Sequence, residues 1–312
     1  MSPAAASQRP GVVAPYLFLG PFLLLFALFG LLPLVFSLVM VFMRWDPIEG
    51  LGSMRFVGLA NFVFALGDAW FWKSLFNTLW LALAAGIPQH LVALPLAYFI
   101  DRTLGKLRNA VVAAYFMPYI TSTVAIAIMS MALFSTDYGL VNAALGHLRS
   151  VPLLGTLLPA GAIDWLGSAA TLRLTIAIVV FWRFVGFNTI LYLAALQVIP
   201  EDIYEASQID GASARQRFLR ITLPLLKPAM VFGMTLSVIG GLQLFEEPFI
   251  LTAGGRGGPG HAALTTAMYM YRTAFEFNDF GAASAISWLL FAVVGVFVFC
   301  TYRWLRPRDV GA

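Results

Sequence analysis

Charge is scarce in this sequence. Of 312 residues only 11% are Asp, Glu, Lys or Arg, against about 25% in a soluble globular domain. So little charge cannot cover a water-facing surface, and it excludes the highly charged composition of a disordered chain. Cysteine is almost missing. The single Cys300 forms no internal disulfide, and its place in an apolar run reads as a small buried hydrophobe. His90, His147 and His261 are scattered without metal-ligand spacing, so no metal site is expected. There is no Gly-x-x-x-x-Gly-Lys-Ser/Thr phosphate loop, no Gly-x-Ser-x-Gly elbow and no His-Glu-x-x-His helix. The chain therefore cannot hold ATP in that manner, and it offers no catalytic constellation. What it has in excess is apolar surface: 60% of residues are hydrophobic and the mean hydropathy is +0.85. The composition is that of an all-α, multi-pass membrane protein.

A helix crossing the hydrocarbon needs about 20 mainly apolar residues. Six stretches qualify: Pro15 to Met43, Ser74 to Ile100, Leu107 to Phe134, Thr171 to Val198, Pro228 to Leu251, and Phe280 to Leu305. The first is too long for the apolar core of a signal peptide and lacks a small-residue cleavage site, so it is expected to stay attached. Prolines 15, 21, 33, 88, 95 and 118 fall within the first three spans, which are expected to kink. In the fifth, Gly233, Ser237 and Gly241 recur every four residues, a stripe that lets another helix approach closely.

The formal charge of +4 does not form a nucleic-acid-binding stripe, because the basic residues lie mostly between apolar runs. There they set orientation. With the N-terminus inside, the inner pieces hold Arg9, Arg102, Lys106, Arg108, Arg215, Arg217, Arg220, Lys227, Arg303, Arg306 and Arg308. The outer pieces hold fewer, Arg44, Arg55, Lys73, Arg149, Arg173, Arg256 and Arg272, over longer loops. This bias predicts that both termini are cytoplasmic.

The inner loop, residues 199–228, is the most informative segment. Pro200 suits a first helical position, and Glu201 and Asp202 suit a helix N-terminus. Gly211 ends that helix, since glycine accepts positive φ. A second helix is expected from about Ala212 to Thr222, stopped by Pro224. Its Arg215, Arg217 and Arg220 alternate with Phe218, Leu219 and Ile221, a pattern for a lipid interface or a partner surface. Asp210 either caps this helix or pairs with a loop arginine.

Within this loop Glu205-Ala206-Ser207, three residues, Gly211, nine residues and Ile221-Thr222-Leu223-Pro224 resemble the EAA signature of ABC importer permeases, with Ser207 in place of its second alanine. The likeness extends to Asn77-Thr78-Leu79, to Trp182-Arg183 before Gly186-Phe187 and Leu193-Ala194-Ala195-Leu196, and to Phe280-Gly281-Ala282-Ala283-Ser284-Ala285. The combination is similar to the carbohydrate-uptake branch, the maltose, lactose and glycerol-phosphate permeases. One departure is the turn Thr252-Ala-Gly-Gly-Arg-Gly-Gly-Pro-Gly260, longer than the family's Thr-Gly-Gly-Gly-Pro and carrying Arg256.

The resemblance implies a type I ABC importer permease fold, with about six transmembrane helices, in a bacterial or archaeal inner membrane. It implies three regions: residues 1–72 with the N-terminus, first span and external loop; 73–303 as the transmembrane domain; and 304–312 as a cytoplasmic tail. The implied partners are a second, different permease subunit, a cytoplasmic ABC ATPase dimer, an external solute-binding protein and membrane lipid, with no nucleic acid. ATP and Mg would sit on the ATPase. Glu205 would anchor the loop in a cleft of that ATPase, Gly211 would supply the bend, and Ala206, Ser207 and Ala212 the close fit. Arg215, Phe218, Leu223 and Pro224 would complete the coupling element.

Charges inside the membrane cost about 2.5–3.5 kcal/mol each on translocon scales, so Arg183, Glu246 and Glu247 mark a candidate wet pathway. Glu246 and Glu247 stand near a span end, where snorkelling to water also accounts for them. Arg183 lies deeper, where it either pairs with one of these carboxylates or joins a substrate site. In the second case Trp182, Asn188, Gln243 and Phe245 would stack on and hydrogen-bond a sugar. A glycerol-phosphate-like cargo is the alternative within transport. An ion-coupled carrier, which often shows paired repeats, would leave the loop motif unexplained.

Overall fold

A computed structural model describes residues 13–152, 155–156 and 158–305. The chain falls into two compact units, one of residues 1–67 with 273–288 and one of 68–272 with 289–312.

In the first unit, α1 (Val13–Phe26) and α2 (Leu32–Met40) form one apolar span joined by a wide π-turn at Ala27–Leu31. Pro33 stands two residues past the end of that turn. Its ring would press on the carbonyl four residues back, and a wide turn opens that space without breaking the helix. The strands β1 (Met43–Arg44) and β2 (Arg55–Phe56) pair antiparallel, Met43 opposite Phe56. The helix α3 (Ala60–Gly67) supplies Asn61, whose buried amide donates to the carbonyls of Val41 (2.7 Å) and Met43 (2.9 Å). Those carbonyls lie just past the end of α2, where helical partners run out.

The second unit holds α4 (Ala69–Thr103), α5 (Arg108–Ile120), α6 (Thr123–Leu133), α7 (Leu140–Arg149) and α8 (Ala169–Leu196). Then come α9 (Glu201–Ile209), α10 (Ala214–Arg217), α11 (Leu223–Leu225), α12 (Lys227–Leu242) and α13 (Glu246–Leu251). The helices α14 (Thr266–Phe275) and α15 (Phe280–Leu305) each begin in one unit and end in the other. The core is α4 against α8. At one level Leu81, Ala85, Leu172, Ile176 and Val180 are buried together; at the other Ala97, Ile100, Tyr192, Leu196 and Leu226 are. The small-residue stripe packs as expected. Gly233 faces Tyr192 of α8 and Gly241 faces Ala82 of α4, each close enough that an added Cβ would stand 3.0 Å from its neighbour, tighter than ordinary contact. Gly186 allows α8 to lie against the backbone of α5, since a Cβ there would overlap the Tyr115 carbonyl.

Among the described residues five helices are long and apolar enough to cross a membrane, six if α5 and α6 count as one. The third expected span is corrected in this respect: α5 and α6 are bent by 96°. The break is not at Pro118 but at Thr121 and Ser122, whose ψ values of 146° and 131° leave the helical region. The fifth span is interrupted too, at Gln243–Phe245 between α12 and α13. Pro88 and Pro95, by contrast, sit inside an unbroken 35-residue α4. Cys300 corrects another expectation. It is exposed on α15, because an apolar side chain of a membrane helix needs no protein around it when lipid is the solvent.

Candidate functional site

Two regions gather the residues singled out from sequence. The first is the loop from α9 to α11. Pro200 caps α9 rather than opening it, with φ −58° and ψ 135°. At the other end Gly211 has φ +76°. The Ala212 amide donates to the Ser207 carbonyl (2.9 Å) and the Gly211 amide to that of Gln208 (3.0 Å). This is the Schellman arrangement, which needs a left-handed residue where Gly211 stands. The second helix starts at Ala214, later than expected. Its cap is Ser213, in a reciprocal pair with Gln216. Asp210 neither caps it nor forms an ion pair with Arg215, Arg217 or Arg220; its own N–H closes α9 on the Ala206 carbonyl. Nor does Pro224 stop the helix. A π-turn at Phe218–Thr222 accommodates it, as one accommodates Pro33, and the helix runs on to Leu225.

Burial divides the motif into two faces. Tyr204 is 1% exposed, and its hydroxyl shares a 3.0 Å hydrogen bond with Thr222. Ser207 is buried and donates to the Tyr204 carbonyl at 2.7 Å. Phe218 packs on Tyr98 of α4, ring centroids 5.2 Å apart, and Leu223 packs into the α4–α8 core. Phe218 and Leu223 thus fasten the loop to its own bundle, and Ser207 is buried on the same side of α9 as Tyr204. Glu205, Ala206, Asp210, Gly211, Arg215 and Pro224 are exposed, and Ala212 is half-buried. Ile209, which sequence reasoning passed over, is 88% exposed beside them. A large aliphatic side chain in that position at the end of a polar helix is the available signal.

The second region is an open cavity of about 500 Å³ lined by α4, α5, α8, α12, the α12–α13 break and the start of α13. Arg183, Gln243, Phe245, Glu246 and Glu247 line it. Arg183 pairs with Glu247, not Glu246, at 2.6 Å, the two side chains 15% and 4% exposed. The break in α12–α13 makes this pairing possible, because it turns the start of α13 toward α8. Burial makes the pair obligatory: either charge alone would be left without a counter-ion in a low-dielectric setting.

Trp182 does not line the cavity and is 43% exposed. The helical period explains it. Val180, Arg183, Phe184 and Phe187 share the cavity face of α8, and Trp182 falls on the far side. Asn188 stands one step behind the wall, fully buried. Its amide donates to Gln89 Oε1 at 3.2 Å and thereby orients a side chain that does line the cavity. Sequence reasoning missed Gln89, Tyr119, Phe187 and Ser237. Tyr119 and Phe187 stack with centroids 4.6 Å apart and present a flat aromatic wall. The lining can stack a ring and donate and accept hydrogen bonds, but it sets no nucleophile beside a base.

The glycine-rich turn is anchored to the bundle by side chains. Asn77 donates to the carbonyls of His261 and Leu264, both at 3.0 Å. Arg173 donates to Ala262 and to Asn77 Oδ1, both at 2.8 Å. Arg256 remains exposed on it.

Residues 91–309 match the family model described as a binding-protein-dependent transport system inner membrane component. A permease of the arabinooligosaccharide transport system of Bacillus subtilis (strain 168), AraP, is 36% identical over 90% of this chain and 85% of its own. The lactose transport system permease LacF of Rhizobium radiobacter is 34% identical over 94% of each chain. The trehalose/maltose permease MalF of Thermococcus litoralis is 32% identical over 89% of each. Among solved structures, a bacterial ABC transporter for import of the acidic polysaccharide alginate superposes with a TM-score of 0.74. It is 24% identical and the match covers 95% of this chain and 96% of that one, a likeness of fold.

Proposed function

This chain belongs to the family of binding-protein-dependent transport system inner membrane components, and from that premise we propose how it works. It is a multi-pass permease subunit of an importer, and ATP hydrolysis resides in a separate subunit. Its cargo is a sugar or oligosaccharide. Relatives named for arabinooligosaccharide, lactose and trehalose/maltose transport support this reading. So does a cavity whose wall offers stacked aromatics and the amides of Gln89 and Gln243, chemistry suited to hydroxyl-rich rings. Access alternates: the cavity opens to an external binding protein in one state and to the cytoplasm in the other. The second wall of the pathway comes from a different permease subunit. Both termini lie in the cytoplasm, as the Lys and Arg distribution supports, so the α9–α11 loop meets the ATPase dimer, which carries ATP and Mg.

The observation that carries the coupling role is the division of the loop into a buried face that holds it to the bundle and an exposed face that does not. Glu205, Ala206 and Ile209 form the docking face. The test is site-directed cross-linking in the assembled complex, with Cys300→Ser as background. Glu205→Cys and Ile209→Cys should form adducts with the ATPase subunit, and Ser207→Cys should not. Equal adducts from all three, or none from the first two, would remove the assignment.

A further inference from the structure

Arg102, in the last turn of α4, joins that helix to α9 in two ways. Its guanidinium lies over the Tyr204 ring, 3.7 Å from the centroid. One of its terminal nitrogens donates to both carboxylate oxygens of Glu201, at 2.6 and 2.9 Å. The arrangement is braced from behind. Asp101 stands 3.3 Å from Arg102 Nε and 3.4 Å from Arg108 at the start of α5. A chain of alternating charge, Glu201–Arg102–Asp101–Arg108, thus links α9, α4 and α5. Tyr204, under the guanidinium, is the same side chain that ties α9 to Thr222.

Stability does not account for this cluster. Glu201 is 58% exposed and Arg102 25%, and ion pairs so open to solvent contribute little to folding. Its geometry accounts for it better. The short segment 197–200 joins α9 to α8, and Thr222 joins it to α11. Arg102 adds α4, an unbroken helix of 35 residues that carries Ala85, Gly86 and Gln89 to the cavity wall. The helix is continuous from Arg102 to Gln89, with Pro95 removing one backbone hydrogen bond on the way, so displacement of α9 reaches Gln89 along α4.

We propose that Arg102 is the positioning residue through which movement of α9 is passed to α4 and so to the cavity; this rests on the docking role assigned to α9 above. The feature that sets the side chain apart is the planar guanidinium stacked on Tyr204, which an ammonium does not reproduce; the contact to Glu201 runs through one nitrogen and is open to a lysine as well.

The test uses the complete transporter in proteoliposomes with its binding protein, measuring sugar imported per ATP hydrolysed together with co-purification of the ATPase. Arg102→Gln should retain the ATPase and continue to hydrolyse ATP, while sugar imported per ATP falls about tenfold, a typical size for a lost coupling. Arg102→Lys keeps the charge and guards against simple misfolding in the first variant; it should fall by a smaller but clear factor. Wild-type yield per ATP in both variants would overturn the proposal. So would loss of ATPase association in both, since that would make Arg102 part of the docking surface rather than a link behind it. If instead Ile209→Cys fails to cross-link in the Cys300→Ser background with Arg102 intact, the docking assignment itself has failed, a result separate from either of these.

Discussion

Valine at position 211 puts a β-branched side chain on a residue held at φ +76°. Nothing lies within 4 Å of the Cβ it would add, so no clash contributes and the penalty is conformational. A left-handed residue costs about 1–2 kcal/mol for an ordinary L side chain. The chain can relieve that only by opening the turn, which releases the Ala212–Ser207 and Gly211–Gln208 hydrogen bonds. The remaining ties of α9, such as the Tyr204–Thr222 bond, are worth about 0.5–1.5 kcal/mol each. The strain therefore matches a single tether and falls far short of the bundle. The expected outcome is a reoriented α9–α10 junction on an intact membrane core. Gly211→Val should assemble with the second permease and leave the binding protein's sugar affinity unchanged, while binding-protein-stimulated ATP hydrolysis falls about tenfold. Gly211→Asn is the control, because asparagine tolerates left-handed backbone, and it should keep most of the stimulation. Full stimulation in the valine variant, or equal loss in both, would refute the reasoning.

Three further outcomes follow from the structure. Removing one partner of the Arg183–Glu247 pair should cost about 3–5 kcal/mol; Arg183→Met combined with Glu247→Gln should recover part of it, read from thermal unfolding in detergent. Gly186→Ala drives a methyl into the Tyr115 carbonyl, and backbone-to-backbone overpacking should cost about 1–3 kcal/mol, seen as reduced folded yield, whereas Gly240→Ala, with open space around it, should be near neutral. A reporter fused after Val310 should read cytoplasmic and one inserted at Gly146 external; the reverse would overturn the orientation.

The spans were legible because hydropathy is a local property that lipid reads directly. The breaks were not. Pro118 announces a kink, yet the chain turns at Thr121–Ser122, where no residue forbids helix and only packing decides. Membrane charges are legible as a cost, which leaves pairing with a carboxylate as one of two readings for Arg183; that it pairs, and with Glu247, depends on the break before α13. Trp182 was misplaced through residue type alone, although the helical period from Arg183 already points to Val180, Phe184 and Phe187. In the loop, spacing located the motif but not its two faces. Ser207 looks like a small contact residue in sequence, and only its burial in the folded chain shows that it faces inward.

The most direct test of the central claim is sugar uptake by the purified complex in proteoliposomes, with ATP, the binding protein and ion gradients varied separately. Uptake should require both ATP at the ATPase subunit and the binding protein, and should be unchanged when proton and sodium gradients are collapsed. Uptake driven by an ion gradient without ATP, or undiminished without the ATPase subunit, would contradict it.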